Sequence, residues 1–389
     1  MMATLAPIVQ ELSNKIQEID GWDTKFRNAV KAANESGVAE MEDIKTLEDY
    51  IQRINDLLTW IPTESAPGRH VYNRLCQFYF VIDMAEVKAL QDPIRPGASY
   101  QPGTWLTEWL KRYAIEMGKF LDTPQSISPD ALKTFYESPT YNMNEYIKPR
   151  GGWRTFNDFF ARSFKPGYRP IAAITDPTVI VSPADSTYGG QWEVRSDSGV
   201  TIKTLHWKIS ELLRDSPYQD AFNGGIFIHA FLGPEDYHRQ HAPVAGKVLE
   251  ARVVPGNVYL EVNVVDGPPR ADGSTKKLVA AQSMDGAMRQ FDAPDTSGYQ
   301  FAQARGLVVL ETAIGLVAVL PMGMGQVSSV ILTAEVGMTL RKGEELSYFQ
   351  FGGSDIVMVF EAKSNVSITA ALGTHYKVGT RIAKAYPAE

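Results

Sequence analysis

The spacing of apolar residues divides the chain into two parts. Over residues 1 to about 92, apolar side chains recur at three- and four-residue steps, the spacing of amphipathic helices, as at Leu5, Ile8, Val9, Leu12, Ile16 and Ile19. The segment "LEDYIQRINDLLTWI" repeats this spacing. Three prolines and two glycines in "DPIRPGASYQPGT" then predict a linker over 92–104. Helical spacing resumes in "WLTEWLKRYAIEMGKFL", and Ser128 followed by Pro129 is typical of a further helix start.

From about residue 175 the pattern changes to short apolar runs separated by turn residues, among them "TVIVSPAD", "GGIFIHAFL", "GKVLEARVV" and "DIVMVFEA". Many short strands at this spacing favour a barrel or sandwich over alternating βαβ units. The pattern therefore predicts an α+β protein, with a helical N-terminal region at 1–150 and a β-rich, barrel- or sandwich-like domain at 151–389. A polar stretch over 265–300 is interpreted as a surface excursion or a lid, with no chemistry assigned to it.

Composition and charge narrow the class of protein. Apolar residues make up 44% and charged residues 21% of the 389 positions, which is typical of a globular chain. The net charge of −7 argues against nucleic acid and anionic membranes as partners. The single cysteine, Cys76, allows no internal disulfide and cannot alone hold a structural zinc ion. The start of the chain lacks a signal peptide pattern and no run of about 18 apolar residues occurs, so we expect a soluble, cytoplasmic protein without an integral membrane anchor.

The common sequence motifs of cofactor-binding and catalytic sites are incomplete or absent. "GMGQVS" at 323–328 begins like a dinucleotide fingerprint, but Ser328 occupies the third glycine position and a strand-like run follows. The sequence contains no GxSxG elbow, no P-loop and no HExxH. These patterns therefore give no support to hydride transfer, phosphoryl transfer or zinc proteolysis.

The densest polar cluster is "HAFLGPEDYHRQHAPVAG", which contains three of the six histidines, His229, His238 and His241. Three interpretations stay open: a surface loop enriched by chance, a metal site, or two separate proton-transfer groups. A metal site would use His238 and His241 as a pair on one helical turn, with a further ligand. Proton transfer suits imidazole because it titrates near neutral pH. The remaining polar members of the cluster are Glu235, Asp236, Tyr237 and Arg239.

Asp185 stands in a turn after a predicted strand, in "IVSPADSTYGG". Asp at this place is ordinary turn chemistry. A carboxylate at a rigid strand end can also accept the N–H of a histidine and fix its tautomer. Sequence alone leaves both interpretations open.

"YFQFGGSDIVMVF" at 348–360 places Gly353 and Ser354 between aromatic and apolar residues. The other Gly-Ser step, Gly273 and Ser274, has polar neighbours and is explained by a solvent-exposed turn. A hairpin corner is the simple interpretation of the first step as well. A strained Gly-Ser peptide beside a core would also suit attack of the serine hydroxyl on the preceding carbonyl.

Five segments, in order, resemble the signatures of phosphatidylserine decarboxylase-type, pyruvoyl-dependent decarboxylases. They are "FNDFFARSFKPGYRPI", "VSPAD", "YHRQHAPVAG", "VVPGNVYLEVN" and "RKGEELSYFQFGGS". The resemblance covers about 155–389, or about 60% of the chain. It implies that the domain at 151–389 is a pyruvoyl-dependent decarboxylase domain.

The resemblance implies a self-cleavage between Gly353 and Ser354 that leaves a covalent pyruvoyl group, derived from Ser354, as the cofactor. The two fragments, 1–353 and 354–389, would stay associated. His241 would be the base that activates the hydroxyl and Asp185 would orient it, while His238 would assist decarboxylation. A carbonyl supplied by the chain replaces pyridoxal phosphate as electron sink, so no metal and no external cofactor are expected.

Two positions depart from the family pattern: Ser186 replaces a glycine in "SPADS", and Asp355 replaces a threonine in "GGSD". The long helical N-terminal region without a span resembles the soluble fungal branch that includes L-tryptophan decarboxylases. The expected function is conversion of a free amino acid substrate, an aromatic one such as L-tryptophan, to its amine and CO₂ through a Schiff base. The alternatives are a phosphatidylserine decarboxylase and a relative that has lost processing and acts as a binding or scaffold protein.

Overall fold

The computed structural model describes residues 4–66, 68–98, 101–202, 205–266, 275–280, 298–325, 329–351 and 354–387. Helices dominate the first 160 residues. In chain order they are α1 (Pro7–Glu18), α2 (Trp22–Glu35), α3 (Leu47–Leu57), α4 (His70–Ile82), α5 (Ala85–Lys88), α6 (Trp105–Leu121), α7 (Pro129–Glu137), α8 (Phe156–Phe160) and, later, α9 (Ile209–Leu212). Short 3₁₀ turns are found at Ala39–Met41, Pro124–Ser126, Pro139–Tyr141, Met143–Glu145, Gln219–Phe222, Tyr299–Phe301 and Ala362–Ser364.

Side-chain caps from Thr46, Thr104, Ser128 and Thr155 mark the starts of α3, α6, α7 and α8. The Ser128 hydroxyl accepts a hydrogen bond from the backbone N–H of Ala131 at 3.1 Å, and Pro129 occupies the first turn, which confirms the predicted start of α7. The described part of 92–104 contains no α-helix or strand, and α6 begins directly after it, so the predicted linker is confirmed. Among the described helices, none combines the length and apolar character that a bilayer crossing requires.

Strands follow from residue 179 onward. They are β1 (Val179–Val181), β2 (Ser186–Glu193), β3 (Gly199–Ile202), β4 (Leu205–Lys208), β5 (Ile226–Leu232), β6 (Arg239–His241), β7 (Gly246–Val254), β8 (Val262–Asp266), β9 (Lys276–Ala280), β10 (Arg305–Thr312), β11 (Gly315–Gly323), β12 (Val330–Leu332), β13 (Thr339–Leu340), β14 (Glu345–Phe349), β15 (Ser354–Phe360), β16 (Val366–Ile368), β17 (His375–Tyr376) and β18 (Arg381–Ala385). The α+β class, with helices first and strands after, is confirmed.

The largest sheet has eight antiparallel strands in the order β13-β7-β10-β11-β15-β5-β2-β17. Its two outer strands, β13 and β17, are only two residues long and pair on one side, so within the described residues the sheet is open. Of the two predicted alternatives, barrel or sandwich, a closed barrel is not formed by the described residues, because such short outer strands cannot continue the ladder around. Two three-stranded sheets, β1-β18-β16 and β12-β14-β6, accompany it.

Strand β15 lies near the middle of the large sheet and all seven of its residues are buried. Ile356 and Met358 pack into the core on one face, and Val357 and Val359 pack into the core on the other. A third core combines the N-terminal helices with aromatic residues beyond 151, including Phe351. The two regions thus share apolar packing, and the division at residue 150 stays a prediction.

Strand β9 lies inside the polar stretch that the sequence assigns to the surface. It pairs with β8, and the side chains of Leu278 and Val279 are fully buried. Leu278 packs into the same core as the N-terminal helices. The interpretation as a surface excursion is therefore wrong for this strand, while 267–274 and 281–297 lie outside the described residues.

We predict that Leu278→Ala lowers the free energy of unfolding by about 2–5 kcal/mol, because it leaves a cavity in a closed core. Denaturant unfolding of the purified protein measures the change. Leu372→Ala is the matched control, since Leu372 is 46% exposed and its truncation should have little effect. Equal losses at both positions would show that β9 does not pack as described.

Candidate active site

Ser354 is the first residue of β15 and is fully buried. It pairs with Gly323 on β11 and with Leu232 on β5, so both neighbouring strands fix its backbone. Gly353, the predicted partner in cleavage, lies outside the described residues, as do Gly273, Ser274 and Ser328. The hydroxyl of Ser354 thus stands at the fixed end of a central strand.

His238 lies beside this hydroxyl. Its Nδ1 is 3.4 Å from Ser354 Oγ, and its Nε2 is 3.3 Å from the carbonyl oxygen of Pro234. Because that carbonyl can only accept, Nε2 carries the ring hydrogen, and the lone pair of Nδ1 faces the serine. The ring stacks on Phe160 with centroids 3.8 Å apart. Burial, aided by the charge of Arg162, lowers the pKa of His238 to about 3, so the imidazole is neutral at pH 7.

His241 is buried three residues further on, but its ring nitrogens have other partners. Nδ1 lies 2.8 Å from the carbonyl oxygen of Gly343, and Nε2 accepts the hydroxyl hydrogen of Tyr237 at 2.9 Å. Burial lowers the pKa of His241. Among the described residues, no hydrogen bond joins His241 to Ser354.

Asp185 lies in the turn after β1 and is held by an arginine. Its carboxylate accepts hydrogen bonds from Arg169 Nε at 2.9 and 3.0 Å, and from the backbone N–H of Val378 at 2.8 Å. The expected hydrogen bond from His241 is absent within the described contacts, because the arginine occupies the carboxylate. Two weaker links join Asp185 and His241. The backbone N–H of His241 donates to the carbonyl oxygen of Pro183, two residues before Asp185, at 2.8 Å. The charge of Asp185 also opposes the lowering of the His241 pKa.

The structure decides among the interpretations of the histidine-rich segment. It forms the end of β5, a turn and β6, and His238 and His241 are both buried, so the surface-loop interpretation is wrong. The helical turn proposed for a metal pair is also wrong, because β6 pairs with β14 as an extended strand. Over the part of the chain that is described, no group of three or more His, Cys, Asp or Glu side chains is arranged to hold a metal ion.

A second buried polar cluster was not predicted as a unit. Asp355 Oδ2 accepts a hydrogen bond from the hydroxyl of Tyr299 and lies 3.1 Å from His229 Nε2. Burial and the charge of Asp355 raise the pKa of Tyr299 well above its usual value. Asp355 Oδ1 is buried and has no hydrogen-bond partner among the described residues. The signal for this cluster was Asp355 itself, since a charged residue beside a reactive serine inside a core needs partners.

Three further residues shape the site: Phe160, Arg169 and Tyr237. Each contacts a predicted site residue, as described above. All three stand inside the segments "FNDFFARSFKPGYRPI" and "YHRQHAPVAG". Those segments were therefore the available signal, although sequence alone does not show which partner each residue contacts.

A buried serine that faces the lone pair of a neutral imidazole is an arrangement in which a hydroxyl can act as a nucleophile. Comparison with known proteins gives the family. The phosphatidylserine decarboxylase family model matches residues 156–384, more than half of the chain. The chain belongs to the phosphatidylserine decarboxylase family.

Relatives from fungi and bacteria show the extent of the similarity. The chain is 31% identical over 260 residues to "Phosphatidylserine decarboxylase proenzyme 3" of Schizosaccharomyces pombe, covering 67% of this chain and 24% of the relative. It is 29% identical over 281 residues to the "Phosphatidylserine decarboxylase proenzyme" of Fusobacterium nucleatum, covering 72% and 81%. It is 29% identical over 274 residues to "Decarboxylase iboD" of Amanita muscaria, covering 67% and 76%. The chain thus spans only about a quarter of the length of the fission yeast relative.

We predict that His238 makes the fold less stable in acid. Its folded-state pKa, about 3, lies below the value near 6.5 of the unfolded chain, so between these values only the unfolded state binds the proton. Stability then falls as the pH decreases, by up to about 1.4 kcal/mol per pH unit. Denaturant midpoints of uncleavable Ser354→Ala protein at pH 7, 6 and 5 should fall more steeply than those of Ser354→Ala/His238→Gln. Parallel pH profiles would contradict this prediction.

Proposed function

We propose that this chain is a self-processing, pyruvoyl-dependent decarboxylase that converts a free aromatic amino acid, such as L-tryptophan, to its amine and CO₂. The observation that carries the proposal is the contact of the buried Ser354 hydroxyl with a neutral imidazole, in a chain of the phosphatidylserine decarboxylase family. In this proposal the chain is cut between Gly353 and Ser354, and Ser354 becomes the pyruvoyl group. That group would supply a carbonyl that takes up the amino group of the substrate and accepts the electron pair left by CO₂.

The residues around Ser354 fit such a group. The position is buried at the start of a strand that is paired on both sides, which excludes water from a reactive ketone. The same placement supports the association of the two fragments after cleavage. β15 lies between β11 and β5, β17 pairs with β2, and β18 pairs with β1, so the small fragment contributes strands to two sheets.

Two histidines with separate tasks belong to the proposal. His238 touches residue 354 itself, which supports a role in proton transfer to or from the substrate. His241 with Asp185 would activate the hydroxyl, in line with the charge of Asp185 that acts on this ring. For this task His241 Nε2 has to leave the Tyr237 hydroxyl, whereas Nδ1 of His238 already faces Ser354.

We predict that Ser354→Ala and His241→Ala stay uncut, and that His238→Ala is cut but does not turn over substrate. A denaturing gel separates the outcomes, because a cut chain gives a fragment of about 4 kDa and one of about 39 kDa. If the His238→Ala protein stays uncut, His238 rather than His241 is the base that takes the proton from the Ser354 hydroxyl. A normally cut His241→Ala protein would remove His241 from processing. A wild-type chain that stays whole would favour the binding or scaffold alternative.

A pocket beside Gln350 and Phe351, in the segment that precedes Ser354, supports a small substrate. Its volume is about 440 Å³, at the lower end of the range of about 300–1,000 Å³ for small-molecule sites. Its lining includes the apolar side chains of Leu121, Val258 and Phe351, the amides of Asn157 and Gln350, and the charged side chains of Lys111, Lys119 and Asp122. Ser354 and His238 are not among the lining residues. Phe351 is three residues from Ser354, at most about 10 Å along the chain. A free aromatic amino acid matches this size and mixed lining.

The substrate proposal is tested by mass spectrometry of amine products from the twenty amino acids and, separately, from phosphatidylserine vesicles. We expect an amine from an aromatic amino acid, with tryptamine the leading candidate, and no phosphatidylethanolamine from the vesicles. The names of the fission yeast and Fusobacterium relatives favour the lipid alternative. Phosphatidylethanolamine as the main product would establish that alternative and end the amino acid proposal.

A further inference from the structure

The chain just before Ser354 is held by α8, which is itself bonded to the end of α6 in the helical region. The backbone N–H of Phe351 donates to Asn157 Oδ1 at 2.9 Å, and Asn157 is buried on α8. Asn157 Nδ2 in turn donates to Asp122 Oδ1 at 2.8 Å. Asp122 is the residue at the C-terminal end of α6 and also receives Gln350 Nε2 at 3.4 Å. One amide therefore connects the end of α6 to the segment that precedes the proposed cleavage position.

The orientation of this amide is fixed by its partners. The backbone N–H of Phe351 can only donate and the carboxylate of Asp122 can only accept. The oxygen of Asn157 must therefore face Phe351, and its nitrogen must face Asp122. A residue with only donors or only acceptors could not make both bonds.

Aromatic rings of α8 and of the residue Trp60 also hold the side chain of Phe351. It is buried, and its ring meets Trp60, Phe156 and Phe160 edge-on, with centroids 6.3, 5.3 and 5.4 Å away. Trp60 comes from the helical region, outside the residues matched by the family model. Phe160 also stacks on His238, so one aromatic ring contacts both the imidazole beside Ser354 and the segment before Ser354.

Both sides of the proposed cleavage position are thus anchored. Ser354 is fixed downstream by β11 and β5, and Phe351 is fixed upstream by Asn157 and the aromatic rings. Glycine restricts the backbone least of all residues, so the two glycines between the anchors would otherwise allow many arrangements. Fixing both ends restricts how the peptide bond between Gly353 and Ser354 can rotate relative to the Ser354 hydroxyl, and a suitable approach direction is the condition for an intramolecular attack.

We propose that Asn157, together with Asp122 at the end of α6, is a positioning element for self-cleavage, so that the chain is cut only after the helical region has packed against the sheet region. The inference rests on the proposed self-cleavage and assigns a task to α6, which lies outside the residues that the family model matches. Asn157 and Asp122 act through the backbone of Phe351 and Gln350; neither is proposed to touch the reacting atoms.

A time course of cleavage in a cell-free translation reaction, followed on a denaturing gel, tests this proposal. Asn157→Ala removes both hydrogen bonds, and we expect the cleavage half-time to lengthen about tenfold or more, because small displacements of reacting groups cost large factors in rate. Asn73→Ala is the matched control. It removes an asparagine bond of the helical region, to Glu40 at 3.0 Å, and should be cut at the wild-type rate.

An exchange of the two side chains separates positioning from general loss of stability. Asn157→Asp alone places two carboxylates against each other and should be cut slowly. Asp122→Asn added to Asn157→Asp restores one donor and one acceptor at this contact, and we expect most of the wild-type rate to return. Thermal unfolding of each variant in the uncleavable Ser354→Ala background gives the stability without interference from cleavage.

Slow cleavage of Asn157→Ala with recovery in the exchanged pair supports the proposal. Cleavage of Asn157→Ala at the wild-type rate would overturn it, and so would a slow exchanged pair whose Ser354→Ala form is as stable as the parent. An uncut wild-type chain would overturn the proposed function and this inference together. A cut wild-type chain with a normally cut Asn157→Ala overturns the inference alone.

Discussion

Burial of β15 between two fully paired neighbours is the constraint on which the rest of the site depends. The strand starts at Ser354, and its hydrogen bonds to β11 and β5 leave the hydroxyl little freedom to move away from His238. The same burial removes water from the imidazole and keeps it neutral. The position and the protonation state of the two groups therefore share one cause, which is their depth in the protein.

Two buried carboxylates in the same region, Asp185 and Asp355, each have polar side-chain partners. Asp185 is held by Arg169, and Asp355 is held by Tyr299 and His229. Leaving one partner of such a pair without the other is strongly unfavourable, so the segments that carry Arg169 and Tyr299 have to stay in place. His238 lies near these groups without a carboxylate bonded to it, which is consistent with its low pKa.

Local patterns predicted the helices, the linker, the cap at Ser128 and most strands, because each depends on neighbours in sequence. Strand β9 was missed because its two buried residues, Leu278 and Val279, stand in a polar stretch of the sequence. Their burial depends on pairing with β8, which the local pattern does not show. The pairing of Asp185 with Arg169 and of Tyr299 with Asp355 could not be predicted, because these contacts join residues 16 and 56 positions apart. The resemblance assigns the site residues to motifs, but motif order gives no distances. For this reason only the structure shows that His238, and not His241, lies next to Ser354.

The central place of β15 has a consequence for the lifetime of each molecule. If the chain is cut at the start of this strand, as we propose, its two pieces are held together by packing and sheet hydrogen bonds alone. Once it unfolds fully, its pieces can drift apart, and regaining the fold becomes a search between two molecules. Under the proposed cleavage, inactivation by heat is then governed by the rate at which the cut chain unfolds, because separated pieces have to meet again before they can refold.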